Sequence, residues 1–336
     1  TAAELALLGL LVPEDFGGVG VDLAEMAVLL RELGRTTAPL PVISTAVLAP
    51  TALLGSGNSA PANDILPALV SGKRRAAMVF GGPEGQPEPA TWKLSWTRRG
   101  DDCVLDGTAG FVLDAPGADI LVVAARGDDG LLAAVIDAGD AAVAPAATAD
   151  RTRRLGTVSL DAVPVPPARV LATGGAAATM LARVQSVAAF AVACDAAGVA
   201  ERAMLETAQY AQVRRQFGRP IGSFQAIKHM CADMAVAVEG SNAALSLALD
   251  ALGGPAQGRD EAATVAAVST AKAYVCDAAV KVCTDAIQAH GGIGFTWEHD
   301  AHLWLKRSLL DRALFGSPSW HRRRVADAVL PALTPG

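Results

Sequence analysis

The 336-residue chain carries a formal net charge of −6, and 51% of its residues are hydrophobic although only 4% are aromatic. The length supports several structural layers around a large core, and the negative charge argues against nucleic acid as a main partner. Five scattered cysteines lack Cys-x-x-Cys spacing, which predicts reduced, buried thiols in a cytoplasmic protein and no metal site. The most apolar long stretch, residues 187–204, contains Asp195, Glu201 and Arg202. It therefore fits a buried helix better than a membrane span.

An N-terminal helical domain is predicted over residues 1–72. Asp22 stands at an N-cap position, residues 23–33 carry the apolar spacing of a helix, and Gly34 is placed to close it. Because the sequence begins at Thr1 rather than at a methionine, some N-terminal residues are expected to precede it.

A β domain is predicted over residues 73–172, where short β-rich runs are separated by Gly, Pro and Asp. Asp106-Gly107, between the first two runs, is a hairpin-type turn signal. Because no helix-length gaps separate the runs, they indicate an antiparallel barrel or sandwich rather than alternating βαβ units. The predicted strands are residues 103–105, 111–113, 120–125, 131–136, 157–160 and 169–171.

A four-helix-type bundle is predicted over residues 177–336, so the fold class is α+β and multi-domain. Gly253-Gly254-Pro255 separates the second long helix from the third, and shorter helices are expected near residues 301–312 and 320–330. The apolar stripes that predict the three long helices are Val184, Val187, Ala188 and Ala191; Ile227, Met230, Cys231 and Met234; and Val268, Ala271, Val275, Ala278 and Val282.

Three motifs in the bundle are suited to binding a pyrophosphate and its adenosine: residues 214–221, Phe224-Gln225, and residues 288–292. A pyrophosphate needs positive charge and backbone donors, and arginine offers a planar fork that matches its oxygens. Adjacent glycines allow the backbone to approach a ligand that a side chain would block. The alternative for the arginines is a solvated cluster that offsets a helix C-terminal dipole. The paired Gln-x-x-Gly-Gly turn favours the nucleotide site.

With these motifs placed inside the bundle, the chain resembles the acyl-CoA dehydrogenase family over nearly its whole length. The resemblance implies a tetramer built from dimers, FAD, and α,β-dehydrogenation of an acyl-CoA thioester. It also implies that the ADP half of FAD is bound here while the flavin ring sits in the neighbouring subunit. The implied FAD-binding residues are Arg214, Phe217, Gln225, Gln288, Gly291 and Gly292, whereas Arg215 is not carried over. Further matches are residues 8–10, 13–20, 107–111, 118–119, 152–156 and 163–166.

The carboxylate base of this chemistry is missing from both places where the family has it. Removing a proton next to a thioester carbonyl needs a desolvated carboxylate whose pKa is raised toward the working pH. Ala182 and Phe315 occupy the two usual glutamate positions, and neither side chain can accept a proton. The sequence therefore identifies no catalytic residue in this chain.

Other carboxylates close to these positions have been weighed as substitutes. Asp311 and Glu298 are the candidates for a relocated base, while Asp300 is expected to cap the helix that starts near residue 301. Asp195 is expected to belong to an interface or a polar network. For His290, a packing role is favoured over a catalytic one.

The side of the site that would face the flavin ring also departs from the family. Residues 80–89 stand where the family has a Thr-Glu-Pro loop ending in Gly-Ser-Asp, and Phe111-Val112-Leu113 replaces a Trp-Ile-Thr strand. The hydroxyl groups expected at the ring edge are therefore missing. A loop rich in proline and glycine can still follow the same path.

Together these features predict a cytoplasmic subunit of a hetero-oligomeric, sterol-type actinobacterial acyl-CoA dehydrogenase that acts in lipid β-oxidation. A homologous partner subunit would complete a heterotetramer by supplying the ring pocket and the glutamate, and an electron-transfer flavoprotein would take the electrons. Three alternatives remain open: an autonomous dehydrogenase with a relocated base, a non-catalytic scaffold of the same fold, and a related flavin oxidase.

Overall fold

The computed structural model describes residues 4–82, 85–253 and 260–330. The chain divides into two compact units, Thr1–Met26 with Pro39–Ala188, and Ala27–Ala38 with Ala189–Gly336. Two sequence features lie partly outside the described residues: Pro83-Glu84 in the loop of residues 80–89, and Gly254-Pro255 after the second long helix.

The helices are α1 (Leu23–Arg35), α2 (Ala49–Leu54), α3 (Ser59–Val70), α4 (Gly174–Val213), α5 (Gln225–Gly253), α6 (Glu261–His290), α7 (Ala301–Ala313) and α8 (Pro318–Val329). The strands are β1 (Ala76–Val79), β2 (Ser95–Arg99), β3 (Asp102–Leu113), β4 (Ile120–Gly127), β5 (Gly130–Asp137), β6 (Ala142–Ala146), β7 (Leu155–Val165), β8 (Val170–Thr173), β9 (Arg215–Gln216) and β10 (Arg219–Pro220).

The first unit is built around one eight-stranded sheet. Its strands follow the order β6-β7-β3-β2-β4-β5-β8, and β1 pairs with β4. Most neighbours are antiparallel, but β4 runs parallel to β1 and, at one residue pair, to β2. The sheet is sandwich-like and is not closed as a barrel. The predicted fold class, with helices before the sheet and a helical region after it, is confirmed, although the sheet is mixed rather than wholly antiparallel.

The predicted hairpin at Asp106-Gly107 is wrong, because β3 runs straight through it from Asp102 to Leu113. Its pairing with β7 shifts register between Leu105 and Gly107, which marks a β-bulge. Gly107 has φ +113°, and a Cβ atom there would overlap the carbonyl oxygen of Lys93. Gly107 therefore permits a β-bulge and a close approach of the Lys93 backbone. Both features require glycine, as many turns do, so the sequence alone does not distinguish them from a turn.

Three strands of the sheet were not predicted. All four residues of β1 are buried, so the strand lacks the polar alternation that reveals a half-buried strand. The strand β2 (Ser95–Arg99) is mostly exposed, and β6 (Ala142–Ala146) contains a proline, so both have weak strand signals.

The helix α1 begins as predicted but ends later. The amide of Ala24 donates to Oδ1 of Asp22 at 2.6 Å, which confirms the capping role of Asp22. Gly34 does not close the helix, which continues to Arg35. A Cβ atom on Gly34 would overlap the carbonyl oxygen of Asp195, so this glycine permits close packing between α1 and α4.

The second unit contains the helical bundle. The predicted stripe on α4 is fully buried, and the α6 stripe is buried at Val268, Ala271, Val275 and Val282. Helices α4 and α5 are long and apolar enough to cross a membrane by length and composition alone. The most apolar window of α4 is 72% buried inside the protein, as expected for a core helix, whereas that of α5 is 28% buried.

A buried ion pair with two hydrogen bonds connects α7 to α4 within this bundle. The Arg307 guanidinium donates to both carboxylate oxygens of Asp195, with distances of 2.7 Å from Nε and 3.0 Å from Nη2. Asp195 therefore belongs to a polar network, as predicted.

The cysteines of the described residues are free thiols, and burial raises the pKa of Cys276 to about 11 and that of Cys283 to about 12. Both residues are buried in the helical core.

Candidate functional site

A tight hairpin follows the C-terminal end of α4 and carries the arginine-rich motif. Gln216 pairs with Arg219, so Phe217 and Gly218 form a two-residue turn with φ values of +52° and +79°. Positive φ at both positions is the mark of a type I′ turn, which matches the twist of short antiparallel strands. The turn presents Phe217 with 90% of its surface exposed. The hairpin is therefore a preformed projection.

The arginines of this hairpin differ in their surroundings. The guanidinium of Arg219 lies 4.2 Å from the ring centre of Phe224, and Phe217 meets the same ring edge-on at 6.0 Å. Arg219 is therefore engaged in a cation–π contact. Arg214 and Arg215 are exposed, and the carbonyl oxygen of Arg214 accepts a hydrogen bond from the amide of Ile221 at 2.8 Å.

The Gln-x-x-Gly-Gly motif ends α6. Gln288 lies exposed in the last turn, and Gly291 follows the helix with φ +65° and ψ −144°. A Cβ atom on Gly291 or Gly292 would meet no atom of the described residues within 4 Å. The backbone here faces open space that a ligand can approach closely.

The tertiary structure brings these motifs to one end of the bundle. The ring of Tyr210, in the last turn of α4, stacks on His290 at 4.4 Å, which joins the end of α4 to the end of α6. Gln225 is the first residue of α5, and its Nε2 lies 3.4 Å from Nε2 of His229. Tyr210 was not identified from the sequence, because a single tyrosine in a helix gives no functional signal.

His290 has a packing role. It is buried, its Nδ1 lies 2.7 Å from the carbonyl oxygen of Ala286, and its ring is also 4.3 Å from that of His299. Burial lowers the pKa of His290 and outweighs its contact with the Ala286 carbonyl. The imidazole therefore favours its neutral form and packs between the rings of Tyr210 and His299.

The turn after α7 is held by buried side chains of α6 and α8. Nζ of Lys272 is 2.9 Å from the carbonyl oxygen of Asp311, 3.4 Å from that of Arg312 and 3.2 Å from that of Gly316. Nε2 of His321 is 3.0 Å from the Phe315 carbonyl oxygen. The backbone around Phe315, whose φ is +55°, is therefore fixed by hydrogen bonds at four carbonyl groups.

The comparisons with known proteins agree on one family. The acyl-CoA dehydrogenase N-terminal domain model matches residues 1–73, and the C-terminal domain model matches residues 177–330. The chain belongs to the acyl-CoA dehydrogenase family. FAD is the cofactor of this family, so the prediction of a flavoprotein is confirmed.

The chain is similar to several actinobacterial members of the family. It is 35% identical to acyl-CoA dehydrogenase FadE34 of Mycobacterium tuberculosis over 96% of this chain, but it spans 41% of the length of that relative. It is 33% identical to acyl-CoA dehydrogenase IpdE2 of Mycolicibacterium smegmatis, with 97% of this chain and 85% of the relative covered.

Two solved structures are heteromeric relatives. The Tcur3481-Tcur3483 steroid ACAD G363A variant has a TM-score of 0.86 and 31% identity, over 99% of this chain and 88% of that chain. The ChsE4-ChsE5 complex from Mycobacterium tuberculosis has a TM-score of 0.88 and 28% identity, over 100% of this chain and 87% of that chain.

In this family member, the two positions predicted to correspond to the family's glutamates are held by apolar residues. Ala182 lies half-buried in α4, and Phe315 lies half-buried in the fixed turn after α7. The turn after α7 thus keeps a rigid backbone, although the side chain of Phe315 in this turn cannot accept a proton.

The carboxylates considered as replacements have other surroundings. Asp311 is fully buried, and its Oδ2 lies 3.9 Å from Nε of Arg307, so it belongs to the core network and does not face an open cleft. Glu298 is exposed. Asp300 makes no side-chain cap, because Nδ1 of His299 instead accepts the amide hydrogen of Ala301 at 3.1 Å.

The positions expected to face the flavin ring are occupied differently from the family pattern. Phe111 lies in a second β-bulge with φ +53° and is 47% exposed, whereas Leu113 is buried. A Cβ atom on Gly82 would overlap Oε1 of Gln86, so the loop fills its own interior. These residues offer no hydroxyl group to a ring, in contrast to the open glycine pair at residues 291–292.

Proposed function

We propose that this chain is one subunit of a hetero-oligomeric, FAD-dependent acyl-CoA dehydrogenase that forms the α,β double bond of an acyl-CoA thioester. The observation that carries this proposal is a contrast within the chain. The motifs predicted to bind the ADP half of FAD, residues 214–221, 224–225 and 288–292, are called the ADP-side motifs and lie at one end of the bundle. Ala182 and Phe315, in contrast, leave no carboxylate at either predicted glutamate position. A homologous partner subunit would supply the glutamate and the pocket for the flavin ring.

The residues that would hold FAD are Arg214, Phe217, Gln225, Gln288 and the glycine pair. Arg214 supplies a fork of donors for the pyrophosphate, the two glutamines supply hydrogen bonds, and Gly291 and Gly292 leave room for the backbone to approach. Bound FAD would supply the two-electron acceptor for the hydride that leaves the β carbon. We propose residues 177–336 as the part of the chain that carries this site, after an N-terminal domain of residues 1–72 and a β domain of residues 73–172.

The proton from the α carbon would go to the partner's glutamate. In this chain Asp311 is fully buried in the core beside Arg307, so it is not open to a substrate. Glu298 is exposed to water, whereas this step needs a carboxylate in a desolvated site.

The proposed substrates are bulky, steroid-type CoA thioesters, and the proposed setting is cytoplasmic lipid β-oxidation with an electron-transfer flavoprotein as acceptor. The support is the similarity to a steroid ACAD and to actinobacterial acyl-CoA dehydrogenases. The most apolar window of α5, of which 28% is buried, supports assembly with another subunit.

The first test compares the chain expressed alone with the chain co-expressed with a homologous subunit. Alone it should be colourless or poorly soluble, whereas the complex should be yellow with flavin absorbance bands and should reduce a ferricenium acceptor with a CoA thioester. A yellow, active homotetramer of this chain alone would refute the proposal.

The second test addresses a relocated base. Glu298→Ala and Asp311→Ala are each introduced into the complex, alongside Glu→Gln at the partner's glutamate. Only the partner substitution should abolish turnover while flavin remains bound. Loss of turnover in Glu298→Ala, with flavin content and stability unchanged, would instead establish an autonomous dehydrogenase.

The same purified complex also distinguishes the two remaining alternatives, a non-catalytic scaffold and a flavin oxidase. A non-catalytic scaffold has no need for the ADP-side motifs, so a complex that contains no flavin under any condition would favour it. A flavin oxidase would consume oxygen during turnover, which an oxygen electrode measures directly.

A further inference from the structure

Two neighbouring cavities in the first unit share one wall. Their volumes are about 1070 Å³ and about 300 Å³, and both are lined by Pro116, Gly117, Arg151 and Arg154. The larger cavity lies on the β domain, and the smaller one lies between that domain and Pro39, Pro41 and Thr45 of the N-terminal region. The proposed FAD-binding residues do not line either cavity.

The smaller cavity has an excess of positive charge. Arg75, Arg151 and Arg154 line it, and the acidic residue in its wall is Asp114, which accepts a hydrogen bond from Oγ of Ser44 at 2.8 Å. Arg75 has a partly exposed ion pair with Asp119 at 3.4 Å. Within the described part of the chain, the guanidinium groups of Arg151 and Arg154 form no ion pair. Unpaired arginines that converge on a cavity attract anions.

Gly117 lies between two of these arginines. A Cβ atom there would be 3.6 Å from Nη1 of Arg75 and 3.7 Å from Nη1 of Arg154, so both nitrogens flank the space beside the glycine. The residue has φ +105°, and its amide donates no hydrogen bond within the described residues. Two guanidinium groups and a free amide around one space are suited to a tetrahedral oxyanion.

The larger cavity adds an apolar surface next to this space. Ala118, Ala138, Ala141 and Val143 form one side of it. A ligand that fits both cavities therefore has a phosphate at one end and a flat or apolar body at the other, which describes a nucleotide.

We propose that Arg75, Arg154 and the amide of Gly117 form a phosphate-binding site that takes the phosphate ester of a nucleotide-type ligand, whose base lies in the larger cavity. The phosphate has two possible sources: the nucleotide end of a CoA thioester, and free inorganic phosphate. The assignment to CoA rests on the proposed function, whereas the phosphate site does not.

The test measures the binding of CoA, dephospho-CoA and inorganic phosphate to the purified complex by titration calorimetry. Arg154→Gln and Arg75→Gln remove one charge each. Arg98→Gln is the matched control, because Arg98 is an exposed arginine of the same sheet whose guanidinium lies 5.9 Å from the Trp96 ring centre. Bound flavin is quantified in every preparation.

We expect both site variants to bind CoA about tenfold more weakly or worse, while Arg98→Gln binds it normally. If dephospho-CoA binds the unmodified protein as weakly as CoA binds the variants, the phosphate on the ribose is the bound group. If the variants weaken both ligands, the site holds the diphosphate. If inorganic phosphate alone responds, the site is confirmed and its assignment to CoA is wrong.

The proposal is overturned if no probe binds more weakly to Arg154→Gln and Arg75→Gln than to Arg98→Gln. Its failure is distinguishable from failure of the proposed function. A complex without flavin whose phosphate binding still depends on Arg154 would refute the dehydrogenase proposal and leave the phosphate site standing.

Discussion

The buried amine of Lys272 donates a hydrogen bond to the carbonyl oxygen of Asp311 at 2.9 Å, and through this contact α6 holds the end of α7. The same amine reaches Arg312 and Gly316, so one side chain satisfies three carbonyl groups on either side of Phe315. This lysine stabilises the backbone at one of the two positions that are predicted to correspond to the family's glutamates.

Replacing Lys272 by methionine should lower the free energy of unfolding by about 2–5 kcal/mol, because buried carbonyl groups lose their donor. The matched control is Lys281→Met, which removes an exposed lysine from the same helix and should cost less than about 0.5 kcal/mol. Urea unfolding followed by tryptophan fluorescence measures both. Equal effects of the two substitutions would contradict the role assigned to Lys272.

Acid should destabilise the second unit through His321. Burial, and then the positive charge of Lys272, lower the pKa of His321 to about 3. The unfolded state takes up this proton near pH 6.5 and the folded state does not, so stability is complete above about pH 6.5 and falls as the pH decreases toward 3.

At pH 5.5, one pH unit below the pKa of His321 in the unfolded state, the resulting loss in the free energy of unfolding should reach about 1.4 kcal/mol. His321→Gln cannot titrate, and its amide can still donate to the Phe315 carbonyl oxygen and accept from Ser269. Unfolding free energies at pH 7.5 and pH 5.5 should therefore differ less for the variant than for the unmodified protein. An identical pH dependence in both would show that His321 does not carry this effect.

The buried ion pair between Asp195 and Arg307 should be costly to break. Asp195→Asn removes the charge that accepts two hydrogen bonds from the buried Arg307 guanidinium and leaves Asp311, at 3.9 Å, as a more distant charged neighbour. We expect a loss of about 3–5 kcal/mol. The exposed pair of Arg202 and Glu206 is the control, and Glu206→Gln should change stability by less than about 1 kcal/mol. Thermal unfolding midpoints of the two variants test this difference directly.

Flavin binding should depend on Arg214 and not on Arg215. Both side chains are exposed, so neither substitution should alter the stability of the bundle. In the co-expressed complex, Arg214→Gln should weaken FAD binding about tenfold or more, since a charge-assisted hydrogen bond to the pyrophosphate is lost. The ratio of flavin to protein absorbance provides the measurement. Comparable flavin loss in Arg215→Gln would remove the distinction between the two arginines.

Gly292 offers a separate test of the glycine pair. A methyl group there meets open space, so Gly292→Ala should leave the unfolding free energy within about 0.5 kcal/mol of its original value. The same methyl group should obstruct the cofactor and lower the flavin content of the complex. Full flavin content in this variant would place the cofactor elsewhere.

Gly107 and Gly34 show which structural features a local sequence pattern can predict and which it cannot. Gly107 and Gly34 were recognised as special positions, but a hairpin and a helix end were inferred where the structure has a bulge and a close helix contact. A glycine signals that a side chain is not tolerated, and only the neighbouring backbone, Lys93 in one case and Asp195 in the other, shows why.

Lys272 carries a signal of its structural role in the sequence. It lies on the same helical face as Val268, Ala271 and Val275, so it occupies a core position of the stripe. A lysine at such a position must find acceptors, but those acceptors are carbonyl groups about 40 residues further along the chain.

The sequence by itself determined the family, the order of helical, β and helical regions, and the apolar residues at both glutamate positions, because periodicity and motif identity are local properties. Only the tertiary structure decided that Asp311 is buried beside Arg307, that Tyr210 joins two helix ends, and that Arg75 and Arg154 flank Gly117. The reason is physical: the pKa of a carboxylate and the convergence of arginines depend on neighbours that are distant in the chain.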